Sequence, residues 1–154
     1  MNHIHTDVVA GVGLITLNRP QALNALTLPM VNSLNTVLSN WIEDPQVEVV
    51  AVRGCNNQGP FGAFCAGGDI RFFHDAAIAG HRDLGAFFTA IYHLSNRVFN
   101  YPKPYVAFMD GVVMGGGMAL VQGTGLSIVS ERTKLAMPET NIGFFPDVGG
   151  GYFL

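Results

Sequence analysis

The chain is short of charge, of cysteine and of long apolar runs, and each shortage closes off a class of function. Asp, Glu, Lys and Arg together make up 12% of its 154 residues and the net charge is -3, so there is no basic stripe to follow a nucleic-acid backbone. The two cysteines, Cys55 and Cys65, form no CxxC pair, which argues against a disulfide framework or a cysteine zinc site and fits a reducing compartment. Gly, Pro or polar residues interrupt every apolar run before the ~20 residues that a membrane span needs, so no membrane partner is expected. Met1-Asn2-His3-Ile4-His5 has neither the basic-then-apolar order of a signal peptide nor the arginine-rich character of a transit peptide. The expected location is cytoplasmic.

Familiar catalytic motifs are missing too. His3, His5, His74, His81 and His93 show neither HExxH nor Cys/His ligand spacing, so no metal site is expected. There is no GxSxG elbow to carry a serine nucleophile. Gly11-Val12-Gly13 and Gly123-Thr124-Gly125 lack the third glycine of a dinucleotide fingerprint, and GxxxxGK[ST] does not occur. No cofactor is expected.

What remains is 49% hydrophobic residues and 19 glycines, enough for a buried core and many tight turns. Residues 8–17 suggest a hairpin about Gly11-Val12-Gly13. Leu28, Val31, Leu34, Val37, Leu38, Trp41 and Ile42 recur at helical spacing behind a capping Thr27 and stop at Asp44-Pro45. The β-branched residues 47–52 predict a strand leading into a Gly/Asn/Pro loop. Ile70, Phe73 and Ala77 predict a helix broken at Gly80, and residues 84–99 a longer one stopped by Tyr101-Pro102-Lys103-Pro104. Strands are expected at 105–109, 126–129 and 134–136, with a helical stretch at 118–122. The alternation predicts one α/β domain over 1–154, without repeat or linker. At Gly149-Gly150-Gly151-Tyr152-Phe153-Leu154 a glycine turn opens a new helix, which suggests the N-terminal part of a longer chain whose exposed apolar surface needs another chain or another copy to cover it.

Three segments carry chemistry. Ala66-Gly67-Gly68-Asp69 and Met114-Gly115-Gly116-Gly117-Met118 are suited to presenting bare N–H groups ahead of helices; two such donors aimed at one point would make an oxyanion hole. Glu139 in Met137-Pro138-Glu139-Thr140 and Asp147 in Pro146-Asp147 place two carboxylates eight residues apart, a pair able to divide acid and base work. Each segment by itself also has an ordinary meaning as a turn or a helix start.

Taken in this order, Phe64-Cys-Ala-Gly-Gly-Asp-Ile70, the triple glycine at 115–117, and Met137-Pro-Glu-Thr through Phe145-Pro-Asp-Val-Gly-Gly resemble the crotonase (enoyl-CoA hydratase/isomerase) superfamily. Leu17-Asn18-Arg19-Pro20 with Leu23-Asn24-Ala25-Leu26 is similar to its usual opening, and the Met-Pro-Glu-Thr and Phe-Pro-Asp-Val-Gly-Gly-Gly motifs are similar to the 3-hydroxyisobutyryl-CoA hydrolase branch, which implies a place in valine catabolism. The resemblance implies a spiral of ββα units and an acyl-CoA thioester substrate, with coenzyme A as part of that substrate. It implies that Gly68 and Gly116 form the oxyanion hole, that Gly68, Asp69, Ile70 and Arg71 line the acyl-CoA path, and that Glu139 and Asp147 are catalytic. Of the two glutamates a hydratase uses, this chain keeps Glu139 and has Ala119 in place of the other. The branch's substrate-hydroxyl glutamate falls near Ala90-Ile91, which are apolar.

The expected activity is hydrolysis of a short 3-hydroxyacyl-CoA, 3-hydroxyisobutyryl-CoA first among them, with Glu139 attacking the carbonyl or activating water. The alternatives are isomerase or hydratase activity, or a non-catalytic acyl-CoA-binding subunit. Arg19, Arg71 and Lys103 are candidates for the CoA phosphates. The superfamily's trimers and hexamers imply association with further copies, or with the remaining C-terminal portion.

Overall fold

A computed structural model describes residues 3–55, 63–80 and 83–154. The chain opens with an antiparallel hairpin, β1 (Ile4–Val9) and β2 (Val12–Leu17), turned at Ala10 and Gly11, both at positive φ. Gly13 is forced by packing: a Cβ there would lie 2.8 Å from the Trp41 ring. The helix α1 (Leu28–Glu43) follows, its Thr27 side chain accepting from the Met30 amide. Its buried stripe of Val31, Leu34, Leu38 and Trp41 meets the inward face of β2.

After α1 come β3 (Val49–Gly54), β4 (Ala63–Cys65), α2 (Ile70–Ala79), α3 (Asp83–Phe99), β5 (Tyr105–Met109), β6 (Val112–Met114), a 3-10 segment over Gly115–Leu120, β7 (Leu126–Val129), β8 (Lys134–Ala136), a 3-10 turn over Glu139–Ile142 and the short α4 (Gly150–Phe153). The strand β3 starts later than the expected residue 47 because the Val47 amide closes a turn onto the Asp44 carbonyl. The expected helix at 118–122 is the 3-10 segment, shifted toward its glycines. Lys103 ends α1 from outside, donating through Nζ to the carbonyls of Trp41, Asp44 and Val47 at 2.5, 2.8 and 2.7 Å.

From β3 onward, consecutive strands alternate between two sheets. β3, β5 and β7 join the hairpin in a five-stranded sheet of order β1-β2-β3-β5-β7, while β4, β6 and β8 form a three-stranded sheet of order β4-β6-β8. All pairings after the hairpin are parallel. Each turn of the chain thus adds one strand to each sheet, the spiral that the resemblance implies. Helices α1 and α3 cover one face of the large sheet, and Ile91, Leu94 and Val98 of α3 are buried in the shared core.

Candidate active site

The small sheet determines where the site forms. Because β4, β6 and β8 are parallel, the segments leaving their C-terminal ends emerge on one side, the usual place for ligands in parallel sheets. β4 runs out into Gly67 and Gly68, β6 into Gly115 and Gly116, and β8 into Glu139.

The two glycine segments touch backbone to backbone. A Cβ on Gly67 would stand 2.9 Å from the Met114 carbonyl oxygen and 3.2 Å from the Gly116 amide nitrogen, and one on Gly116 would stand 3.3 Å from the Gly68 nitrogen. Since N and Cβ of one residue are roughly 2.5 Å apart, the Gly68 and Gly116 amides lie within about 6 Å, a span that one oxygen accepting from both at about 2.9 Å can bridge. The neighbours of Gly68 are spoken for: Leu26 donates to the Gly67 carbonyl at 2.7 Å, and Asp69 donates to the Leu26 carbonyl at 3.0 Å. Gly116 lies in the first turn of its 3-10 segment, where N–H groups have no acceptor within the segment.

The opening motif supports this arrangement from below. Residues 23–26 run alongside 66–69, with Ala66 donating to the Leu23 carbonyl at 3.0 Å. Asn24, fully buried at positive φ, accepts from the Arg19 amide at 2.8 Å and donates to the Ala63 carbonyl at 2.8 Å. Asp69 caps α2, accepting from the Arg71 and Phe72 amides, and forms an ion pair with Arg19 at 2.7 Å. Asp69 and Arg19 are therefore braces of the loop, and Lys103 is committed to its three carbonyls. Of the three basic candidates, Arg71 stands exposed at the start of α2, next to the half-exposed Ile70.

Glu139 faces the second glycine segment. Its Oε1 lies where a Gly115 Cβ would come within 2.6 Å, so a side chain there would displace the carboxylate, and Gly115 is also at φ 50, which disfavours one. The residue is 8% exposed, and among the described residues Oε2 has no hydrogen-bond partner. Burial pushes this carboxyl above the ordinary carboxylate range; its own backbone amide partly offsets the rise, and the Asp147 charge adds to it. Asp147 is raised as well by burial, against hydrogen bonds from Tyr92 and its own amide. The structure thus brings Gly68, Gly116, Glu139 and Asp147 together at one edge. It also adds Tyr92 of α3, whose hydroxyl donates to Asp147 Oδ2 at 3.0 Å. No motif marks Tyr92 in the sequence, because it lies inside an apolar helical pattern.

Ala119 is fully buried beside this edge and brings no proton-transfer group. Ile91 is in the core at 1% exposure, and Ala90 offers only its carbonyl, to Asn35 at 3.0 Å. An aromatic wall borders the Gly68 side: Phe73 packs on Phe87 at 4.8 Å between ring centres, and Phe88 on Phe144 at 5.8 Å. Among the described residues no group of three His, Cys, Asp or Glu could hold a metal, and no helix is long and apolar enough to cross a membrane.

Comparison with known proteins identifies the family. The enoyl-CoA hydratase/isomerase family model matches residues 12–154. The chain is 51% identical over 142 residues to the 3-hydroxyisobutyryl-CoA hydrolase of Xenopus tropicalis, covering 92% of this chain and 36% of that protein. It is 44% identical over 158 aligned positions to the Homo sapiens protein of that name, covering 97% and 40%. The chain therefore spans about two fifths of the length of these curated relatives. Both are named as mitochondrial, which runs against the cytoplasmic location expected from the N-terminal residues. Among solved structures, a carnitinyl-CoA dehydratase from Mycobacterium thermoresistibile superposes with a TM-score of 0.92 at 41% identity, covering 99% of this chain and 44% of that one. An enoyl-CoA hydratase from Rhodobacter sphaeroides 2.4.1 superposes at 0.88 and 42% identity, covering 96% and 43%. The chain belongs to the enoyl-CoA hydratase/isomerase family and has its crotonase-like α/β fold.

Proposed function

We propose that the protein containing this chain hydrolyses a short 3-hydroxyacyl-CoA thioester, with 3-hydroxyisobutyryl-CoA as the leading substrate. The observation that carries the reading is Glu139, the one carboxylate buried among the described residues, set against Gly115 beside the facing Gly67–Gly68 and Gly115–Gly116 backbones, with Asp147 as its acidic neighbour. In this reading the Gly68 and Gly116 amides receive the thioester oxygen as it gains charge, and coenzyme A enters only as part of the substrate. Glu139 takes the proton of a water that attacks the carbonyl carbon, or attacks that carbon itself to give an anhydride that water then cleaves to the free acid and Glu139. In either course the C–S bond breaks and Asp147 helps deliver a proton to the departing thiolate. Its raised pKa makes Glu139 a stronger base than an ordinary carboxylate. Of the two positions from which hydration draws its carboxylates, one holds Ala119, which brings no proton-transfer group. The 3-hydroxyisobutyryl-CoA hydrolases among the curated relatives support the choice of substrate.

The test is thiol release from 3-hydroxyisobutyryl-CoA, with crotonyl-CoA in parallel, on the longest available form of the protein. Glu139→Ala is expected to lower release by roughly 10²–10⁴-fold, the usual contribution of a positioned base. Gly116→Ala puts a methyl group 3.3 Å from the Gly68 nitrogen, and losing an oxyanion donor in this way is expected to cost about 10²–10³ in kcat. Gly116 is not among the positive-φ glycines, so its backbone accepts alanine. The solved relatives, a carnitinyl-CoA dehydratase and an enoyl-CoA hydratase, favour a second reading, hydratase or isomerase chemistry at the same oxyanion site. Crotonyl-CoA turnover without thiol release would establish that reading and overturn hydrolysis.

A further inference from the structure

The loop that carries Asp147 is strained and held down at two points. Val148, a β-branched residue, sits at φ 43, a conformation such residues rarely adopt, and Gly149 follows at φ 90. Val148 is nonetheless buried in the core at 6% exposure. Two residues one helical turn apart on α3 clamp this loop: Tyr92 donates to Asp147 Oδ2 at 3.0 Å, and Ser95 donates to the Val148 carbonyl at 3.3 Å. The Tyr92 ring is steadied by Phe88, 6.0 Å away between centres, which also packs on Phe144 between the two carboxylates in sequence. Neither of the two ion pairs among the described residues, Arg19–Asp69 and Arg132–Asp110, involves Asp147. The groups facing the Asp147 carboxylate are thus the Tyr92 hydroxyl from α3, the Glu139 carboxylate from the turn after β8, and its own backbone amide.

We infer that Tyr92 is a positioning residue: its hydroxyl holds Oδ2 of Asp147 in one orientation, so that the carboxyl group is fixed beside Glu139 to exchange the proton of the reaction. This rests on the hydrolase reading of Asp147 and deepens it. Burial and the adjacent carboxylate push the Tyr92 phenol up to about 12, so it stays a donor across the working range. A donor to a carboxylate favours its charged form. Removing it lets Asp147 take up a proton more readily, so the Asp147 limb of the activity profile moves to higher pH.

The experiment measures the pH dependence of kcat/KM for thiol release by the longest form of the protein in three versions: parent, Asp147→Asn and Tyr92→Phe. The limb missing from Asp147→Asn marks the Asp147 titration. Tyr92→Phe is expected to move that limb upward in pH and lower kcat by about tenfold, the effect of losing one hydrogen bond to a charged group. KM should stay within about twofold, because the hydroxyl binds Asp147 and not the substrate. Fluorotyrosine at position 92, a stronger donor of nearly the same shape, should move the limb the other way, and it serves as the readout if Tyr92→Phe does not fold. Parent-like turnover in Asp147→Asn would overturn the underlying reading of Asp147. A slowed Asp147→Asn that lacks the limb, together with an unmoved limb in both Tyr92 variants, would overturn the Tyr92 inference alone.

Discussion

Glu139 is held where a carboxylate is least comfortable: 8% exposed, one oxygen without a partner among the described residues, and a second carboxylate nearby. Its folded pKa lies above its unfolded one, so its favourable contribution is complete below the ordinary carboxylate range and is lost as pH rises through the folded value. Glutamine keeps the shape and stays neutral. Glu139→Gln is therefore expected to be more stable than the parent near pH ~7, with the difference closing as the pH falls toward about 4, where the parent carboxyl is itself protonated. Urea unfolding across that range checks it, and a difference that does not change with pH would contradict it. Stability gained where activity is lost is the signature of a group kept for chemistry rather than for the fold.

At the scale of elements, Lys103 shows how a charged side chain can be architecture. Its ammonium gathers three carbonyls at the end of α1 and the start of β3, the junction that sets where the large sheet begins. Lys103→Met should cost about 2 kcal/mol of unfolding free energy, in line with hydrogen bonds to a charged donor, and leave binding of an acyl-CoA unchanged. A loss of acyl-CoA affinity with normal stability would return Lys103 to the phosphate-binding role. Lys103 also marks where sequence reading reaches its limit. The spacing of Leu28 through Trp41 and the apolar run at 105–109 made α1 and β5 legible, because burial imposes a period. β4 was not legible: three residues, Ala63–Cys65, carry no period, and only pairing with β6 makes them a strand. The glycine segments, Glu139 and Asp147 were legible as motifs. That they meet follows from strands alternating between two sheets, which no local pattern encodes, and Tyr92 joins them only through the turn of α3 that faces the loop.

The molecule as a whole is built inward from one side. The large sheet has its helices on one face, while Val12, Leu14, Val49, Ala51, Val106 and Phe108, with Arg53 and Asp110, line an open, mostly apolar hollow of about 510 Å³ on the other. Its last strand, β7, is exposed throughout, with Leu126, Ile128 and Val129 at 54%, 40% and 61%, and β8 exposes Leu135 at 42% at the edge of the small sheet. The chain exposes 8245 Å², against roughly 7,500 Å² for a compact monomer of its 16.5 kDa mass. An apolar strand edge with unpaired backbone groups is a template for another strand. The 154-residue chain is therefore expected to associate with further copies of itself through this edge, with the weight-average mass in sedimentation rising with concentration above 16.5 kDa. Val129→Lys should shift that equilibrium toward the monomer, because a charge on an edge strand opposes pairing. A constant monomer mass, or a Val129→Lys chain that associates as readily as the parent, would show that the exposed edge does not drive assembly.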